Sequence, residues 1–240
     1  MREWSFAGAE RLSRRGLIRY SLSGASALGI AGIARVAHAD LLNLDRAVVR
    51  FTAPEIGGVA SPEFIFEREL SFEARIEALE DPGFEVHLGQ PYRERHIVVA
   101  MERHIAETLL ARLPIDPEPT ALELAQQTKA ARVQLVQALG GPGALASAEL
   151  AEGISAAEVA RLLRRRARAS LYLHRMVAPM LEPERSELLS AHRSAPEPLR
   201  NQPFEQVKEA VRRWYIGRRL AASASAFFQN ARSRLQVRFL

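Results

Sequence analysis

A 240-residue chain without a single cysteine has no disulfide to staple it, no thiol nucleophile and no thiolate metal site, so its stability must come from packing. The formal charge of +5 is misleading, because residues 1–39 hold six arginines against two acids and the remaining 201 residues carry only +1, too little for the field that non-specific nucleic-acid binding requires. Hydrophobic residues make up 48% and aromatics 7%, with many Ala, Leu, Glu, Arg and Gln, a mixture that favours helices and suffices for one helical domain or two small ones.

The first 39 residues have the three parts of an export signal. Ser13-Arg14-Arg15-Gly16-Leu17-Ile18-Arg19 forms the basic start, and an apolar centre diluted by Gly24, Gly29 and Gly32 follows. Ala37 and Ala39 supply the small residues at −3 and −1 of a cut after Ala39. A transmembrane anchor needs about twenty strongly apolar residues, and this centre is shorter and loosened by glycine. The paired arginines resemble a twin-arginine signal, with Leu17-Ile18-Arg19 in place of the usual Phe-Leu-Lys. The expected organisation is a signal over residues 1–39 and one helical domain over 40–240.

Beyond the cut, residues 46–52 are β-branched and closed by Pro54 and Gly57-Gly58, which predicts a strand. Ser61-Pro62 has the chemistry of an N-cap followed by proline at the first helical position, so a helix is expected through Phe64, Leu70, Phe72, Ile76 and Leu79 to Asp81-Pro82-Gly83. Ile97, Met101, Ile105 and Leu109 recur at helical spacing across 92–113, until Pro114, Pro117 and Pro119 end the pattern. Further helices are expected over 122–139, closed by Gly140-Gly141, and over 144–151. Ser155-Ala156-Ala157-Glu158 is a capping box that opens a long helix running to Pro179. A short helix over 184–192 and a last long helix from 204 to about 231 complete the helical part. Residues 235–239 read as a second strand. Two lone strands at opposite ends of a helical chain satisfy their backbone groups by pairing with each other, and that pairing is expected.

This order of elements resembles the N-terminal chaperone module of SurA-type periplasmic folding factors and related parvulin-type peptidyl-prolyl isomerases. The matching residues are Leu139-Gly140-Gly141, Gly153-Ile154-Ser155-Ala156-Ala157-Glu158, Leu181-Glu182-Pro183, Glu187-Leu188 and Phe204-Glu205-Gln206-Val207. The likeness covers most of 42–240, and each motif is capping or turn chemistry, so their order and spacing carry it. In the full-length relatives a parvulin domain lies between the Glu-Leu helix and the closing helix, whereas only residues 190–203 occupy that gap here. The resemblance therefore implies a chaperone module without the isomerase domain.

Site chemistry in the sequence is sparse. His96 and His104 lie eight residues apart, where a metal site favours ligands three or four apart, so they are expected to be solvated or to pack between helices. His87, His174 and His192 stand alone, and His38 belongs to the signal. No phosphate-binding, nucleophile-elbow or zinc-protease motif occurs. Glu67/Glu69 and Glu73/Glu77 lie near arginines and are expected on a solvated, ion-paired face. The run Arg161, Arg164, Arg165, Arg166 and Arg168 is likewise expected on a solvated face, with Leu162, Leu163 and Ala167 turned inward.

A chaperone needs adaptable apolar surface, which Met and aromatic side chains provide. Met101, Tyr172, Met176, Met180, Trp214 and Tyr215 are the candidate client contacts, with Phe227 and Phe228 beside them. The fold expected is mainly α, a multi-helix SurA N-like domain with a small two-stranded element joining the chain ends. The function expected is that of an exported, periplasmic, non-enzymatic chaperone-like protein without cofactor or metal. Its partners would be unfolded or partly folded envelope proteins and, through the signal, the export machinery, with no nucleic acid and no stable membrane span. The alternatives are a scaffold for one fixed envelope partner and, more weakly, an isomerase-related protein with residual activity.

Overall fold

A computed structural model describes residues 45–56, 59–85 and 90–240. The export segment, with Arg14, Arg15, Ala37 and Ala39, lies outside the described residues, as does His87.

The chain is mainly helical. Strands β1 (Ala47–Ala53) and β2 (Val59–Phe66) precede α1 (Glu67–Glu80), α2 (Glu94–Arg112), α3 (Ala121–Ala138), α4 (Pro142–Glu152) and α5 (Ala156–Tyr172). A π-helical turn (Leu173–Val177) and a 3-10 turn (Ala178–Leu181) lead through α6 (Arg185–Ser194) and α7 (Glu197–Arg200) to α8 (Phe204–Arg232) and β3 (Gln236–Phe239).

The expected pairing of the chain ends is present. β3 lies antiparallel to β1, with Val49 opposite Phe239 and Phe51 opposite Val237, and the ladder is extended by Leu240 N–H donating to Val48 O at 3.0 Å. Val49 and Phe51 are buried, and Val237 and Phe239 pack against them.

The sheet has three strands in the order β2-β1-β3, one more than the sequence pattern implies. Ser61-Pro62 does not open a helix; it lies in β2, and the helix begins only at Glu67. The reason is the alternation in 63–66, where Ile65 is fully buried while Phe64 and Phe66 face outward, so a strand buries the segment better than a helix turn does. Pro62 is tolerated because β2 is an edge strand, where a missing N–H removes no partner.

Three apolar clusters hold the molecule. The inner face of β1 and β2 packs on Leu70 and Ala74 of α1, on Met101, Ile105 and Leu109 of α2, and on Phe228 and Ala231 of α8. A second cluster gathers Phe72 and Ile76 of α1 with α3, α4 and α5, so α1 serves both cores from opposite faces. The third joins Leu188 and Ala191 of α6 to Val207 and Val211 of α8, and α8 therefore ties the third cluster to the first.

Helix ends follow the capping chemistry of the sequence. At α5 the Glu158 carboxylate accepts from Ser155 N–H at 2.7 Å, and Glu158 N–H donates to Ser155 Oγ at 3.3 Å. Thr120 and Glu123 form the same box at α3. Gly140 and Gly141 take φ of 79° and 141°, left-handed values that glycine adopts freely, and this is how α3 stops and α4 starts within three residues.

Candidate functional site

Charged side chains build a buried cluster where α1, α2 and α5 meet. Glu73 is 2% exposed and His104 3% exposed. His104 Nδ1 lies 2.7 Å from Glu73 Oε2, and its Nε2 lies 3.0 Å from Arg165 Nη1. A guanidinium only donates, so Nε2 accepts from Arg165 and the proton sits on Nδ1, donated to Glu73. Arg165 Nη2 also donates to Glu73 Oε1 at 2.9 Å and to Glu107 Oε2 at 3.3 Å, and Arg166 donates to Glu107 Oε1 at 2.8 Å. Burial alone pushes the Glu73 carboxyl up. The His104 imidazole, and then the guanidiniums of Arg165 and Arg103, outweigh it and hold the carboxyl well below its ordinary range.

Two expectations are corrected here. Glu69 and Glu73 are buried rather than on a solvated face. The α5 arginines are not a solvated face either: Arg165, Arg166 and Arg168 lie half-buried against α2, Arg168 donating to Ala111 O at 2.6 Å, while Arg161 and Arg164 remain exposed. Leu162, Leu163 and Ala167 do turn inward. Arginines reach around their own helix, so buried carboxylates on α1 and α2 capture heads whose stems lie on the polar side of α5.

No group of three or more His, Asp and Glu able to hold a metal ion occurs among the described residues, and both histidines of α2 are engaged by protein partners. His96, also buried, pairs through Nε2 with Asp81 Oδ2 at 3.1 Å and accepts from Arg93 N–H at Nδ1. An imidazole oriented by a buried carboxylate has the geometry of a general base, but the second nitrogen of His104 is occupied by Arg165. The nearby Thr108 hydroxyl donates to His104 O at 2.8 Å instead. The cluster therefore ties three helices together.

Two open depressions flank this framework. The larger, about 920 Å³, has α2 as its floor, β2 as one wall and α5 as the other, with the start of α3 closing an end. Phe64 and Phe66, exposed by 44% and 38%, stand on the β2 wall. Sequence reading missed both by assigning them to a helix; the alternation across 63–66 is the signal that finds them.

The smaller cleft, about 470 Å³, opens between α6 and α8. Trp214 and Tyr215 form its α8 wall, and Ser190, Ala191 and Ser194 its α6 wall. The Arg218 guanidinium lies 5.0 Å above the Trp214 ring, a cation–π contact. The Tyr215 hydroxyl donates to Glu187 Oε1 at 3.0 Å. Glu187 is held below the usual carboxylate range by the Glu184 backbone N–H and then by that hydroxyl.

The candidate contacts thus separate. Trp214 and Tyr215 are brought together in the cleft. Met180 is 74% exposed on the 3-10 turn, which packs against α8. Tyr172 and Met176 are half-buried at the end of α5 and in the π turn. Met101 is 5% exposed in the first cluster, so it is a packing residue rather than a contact, and Phe228 and Phe227 belong to the same cluster.

No family model, curated protein or solved structure matches the chain. Fold and surface define a mainly helical protein with a three-stranded antiparallel sheet and open clefts over α2 and between α6 and α8. No helix among the described residues is long and apolar enough to cross a membrane.

Proposed function

We propose that this is an exported, non-enzymatic, chaperone-like protein of the periplasm that holds unfolded or partly folded envelope proteins. The observation that carries the reading is the α6–α8 cleft, where Trp214 and Tyr215 stand half-buried beside small residues of the opposite helix. Such a cleft offers aromatic area to an apolar client segment. The indole N–H of Trp214 has no partner among the described residues and is free to meet a client carbonyl. Binding of this kind uses no nucleotide. The order of capping and turn motifs that resembles the SurA module supports the same reading, as does the expected twin-arginine signal.

The test is photocrosslinking in cells. Ala222 is exposed and lines the cleft, so a photoreactive residue there sits beside any occupant without disturbing the core. Crosslinks to several unrelated envelope proteins are expected. A single crosslinked species favours the scaffold alternative, and none contradicts both.

A further inference from the structure

One wall of the larger groove is a strand edge. β2 is an outer strand of the sheet, and Glu63, Phe64 and Phe66 line the groove while no residue of β1 or β3 does. The edge of β2 that β1 leaves unpaired therefore opens into the groove. Among the described residues no backbone group outside the sheet bonds to it. Proteins ordinarily guard such edges, because unpaired N–H and C=O groups are a template for another strand. Pro62 guards one end and the ladder with β1 shifts register between Ile65 and Phe66, which leaves 63–65 as the regularly paired run.

The floor and the opposite wall are charged, and their charges do not cancel. Arg112 is ion-paired with Glu63, Arg161 with Glu69 at 3.1 Å and Arg168 with Glu118 at 2.6 Å. Arg165 is matched by Glu73 and Glu107 in the buried cluster. Arg164, exposed on the same wall, has no carboxylate partner among the described residues. A groove with a free strand edge and two exposed phenylalanines on one side, and a surplus guanidinium on the other, is complementary to one kind of chain. That chain is extended, since only an extended backbone can pair with an edge, and it carries apolar and acidic side chains on its alternate faces.

We propose that this groove binds an extended acidic–apolar peptide segment. The segment lies along β2 with its backbone paired to 63–65, its apolar side chains against Phe64 and Phe66, and a carboxylate on Arg164. The site is separate from the α6–α8 cleft and does not depend on how that cleft is used.

The test uses the full-length protein and a fluorescent octapeptide of alternating Val and Glu, titrated by fluorescence anisotropy. Saturable binding is expected, and Arg164→Glu should weaken it about tenfold or more, the size of one charge-assisted pair. Arg164 is exposed and unpaired, so the variant should keep its melting temperature. The matching peptide with Lys for Glu should prefer the Arg164→Glu variant to the wild type. N-methylation of alternate peptide amides should abolish binding, because it removes the donors to the strand edge. Trp214→Ala should leave the affinity unchanged.

Equal affinity of wild type and Arg164→Glu, or undiminished binding of the N-methylated peptide, overturns the proposal. Loss of binding in Trp214→Ala alone places the peptide in the other cleft and also overturns it. Binding seen only after Leu41, Leu42 and Leu44 are changed to Ser assigns the groove to the chain's own N-terminal segment and overturns it as well.

Discussion

Replacing Arg165 by Met should test how the helical body is held. The substitution keeps most of the apolar stem and removes the guanidinium, so the packing loss is small. What remains is Glu73, 2% exposed, with its bonded guanidinium gone, and a His104 Nε2 without a donor. Removing one partner of a buried ion pair costs about 3–5 kcal/mol. The lower end applies, because Glu73 retains the His104 hydrogen bond, Glu107 retains Arg166, and Met relieves an Arg165 Nε that is buried without an acceptor. A loss of about 3 kcal/mol corresponds to a fall in Tm of roughly 6–12 °C for a domain of this size. Urea unfolding at neutral pH measures it. In a Glu73→Gln background the same change should cost about 1 kcal/mol, a coupling of about 2 kcal/mol between the two sites. A cost below about 1 kcal/mol, or strict additivity of the two changes, would refute the view that this cluster binds α1, α2 and α5 together.

The same carboxylate sets a pH dependence. Because Glu73 is depressed below its ordinary value in the folded state, its contribution is complete above the unfolded value and is lost as pH falls from there through the folded one. Thermal unfolding across that window should fall more steeply for the wild type than for Glu73→Gln, and parallel curves would contradict the assignment. Deleting residues 235–240 removes the β3 ladder, the buried Leu235 and the half-buried Val237 and Phe239. It should cost several kcal/mol in urea unfolding, since net hydrogen bonds contribute about 0.5–1.5 kcal/mol and fully buried apolar side chains about 1.5–3 kcal/mol each; an unchanged midpoint would show the pairing to be idle. Changing Arg14 and Arg15 together to Lys should leave the precursor in the cytoplasm, because a twin-arginine receptor reads the pair rather than the charge. Normal fractionation to the envelope would point to the general secretory route.

The sequence made some features legible because they depend on nearest neighbours. Ser155 and Glu158 specify their helix start by reciprocal bonds three residues apart, and Gly140-Gly141 specifies a stop by φ values that other residues avoid. The union of β1 with β3 followed from backbone accounting, since β3 stands alone after the helices and must satisfy its backbone groups on a strand, although β1 also pairs with β2 on its other side. β2 was hidden because Ser61-Pro62 is good chemistry both for a helix start and for an edge strand, and only the tertiary position of β1 decides between them. Met101 betrays itself as core through its spacing of four from Ile97 and Ile105, whereas Trp214 and Tyr215 flank the buried Val211 and so fall at a cleft margin. The buried cluster could not be foreseen. Glu73 and Arg165 lie on different helices far apart in sequence, and a charge at helical spacing looks the same whether water or another helix covers it.

Aggregation assays with several unrelated, chemically unfolded proteins address what the molecule does. The wild type should suppress light scattering for most of them without nucleotide. Trp214→Ala should do so less well at an unchanged secondary-structure content, because it empties the α8 wall of the cleft. No suppression of any client by a folded wild-type protein would contradict the chaperone-like reading.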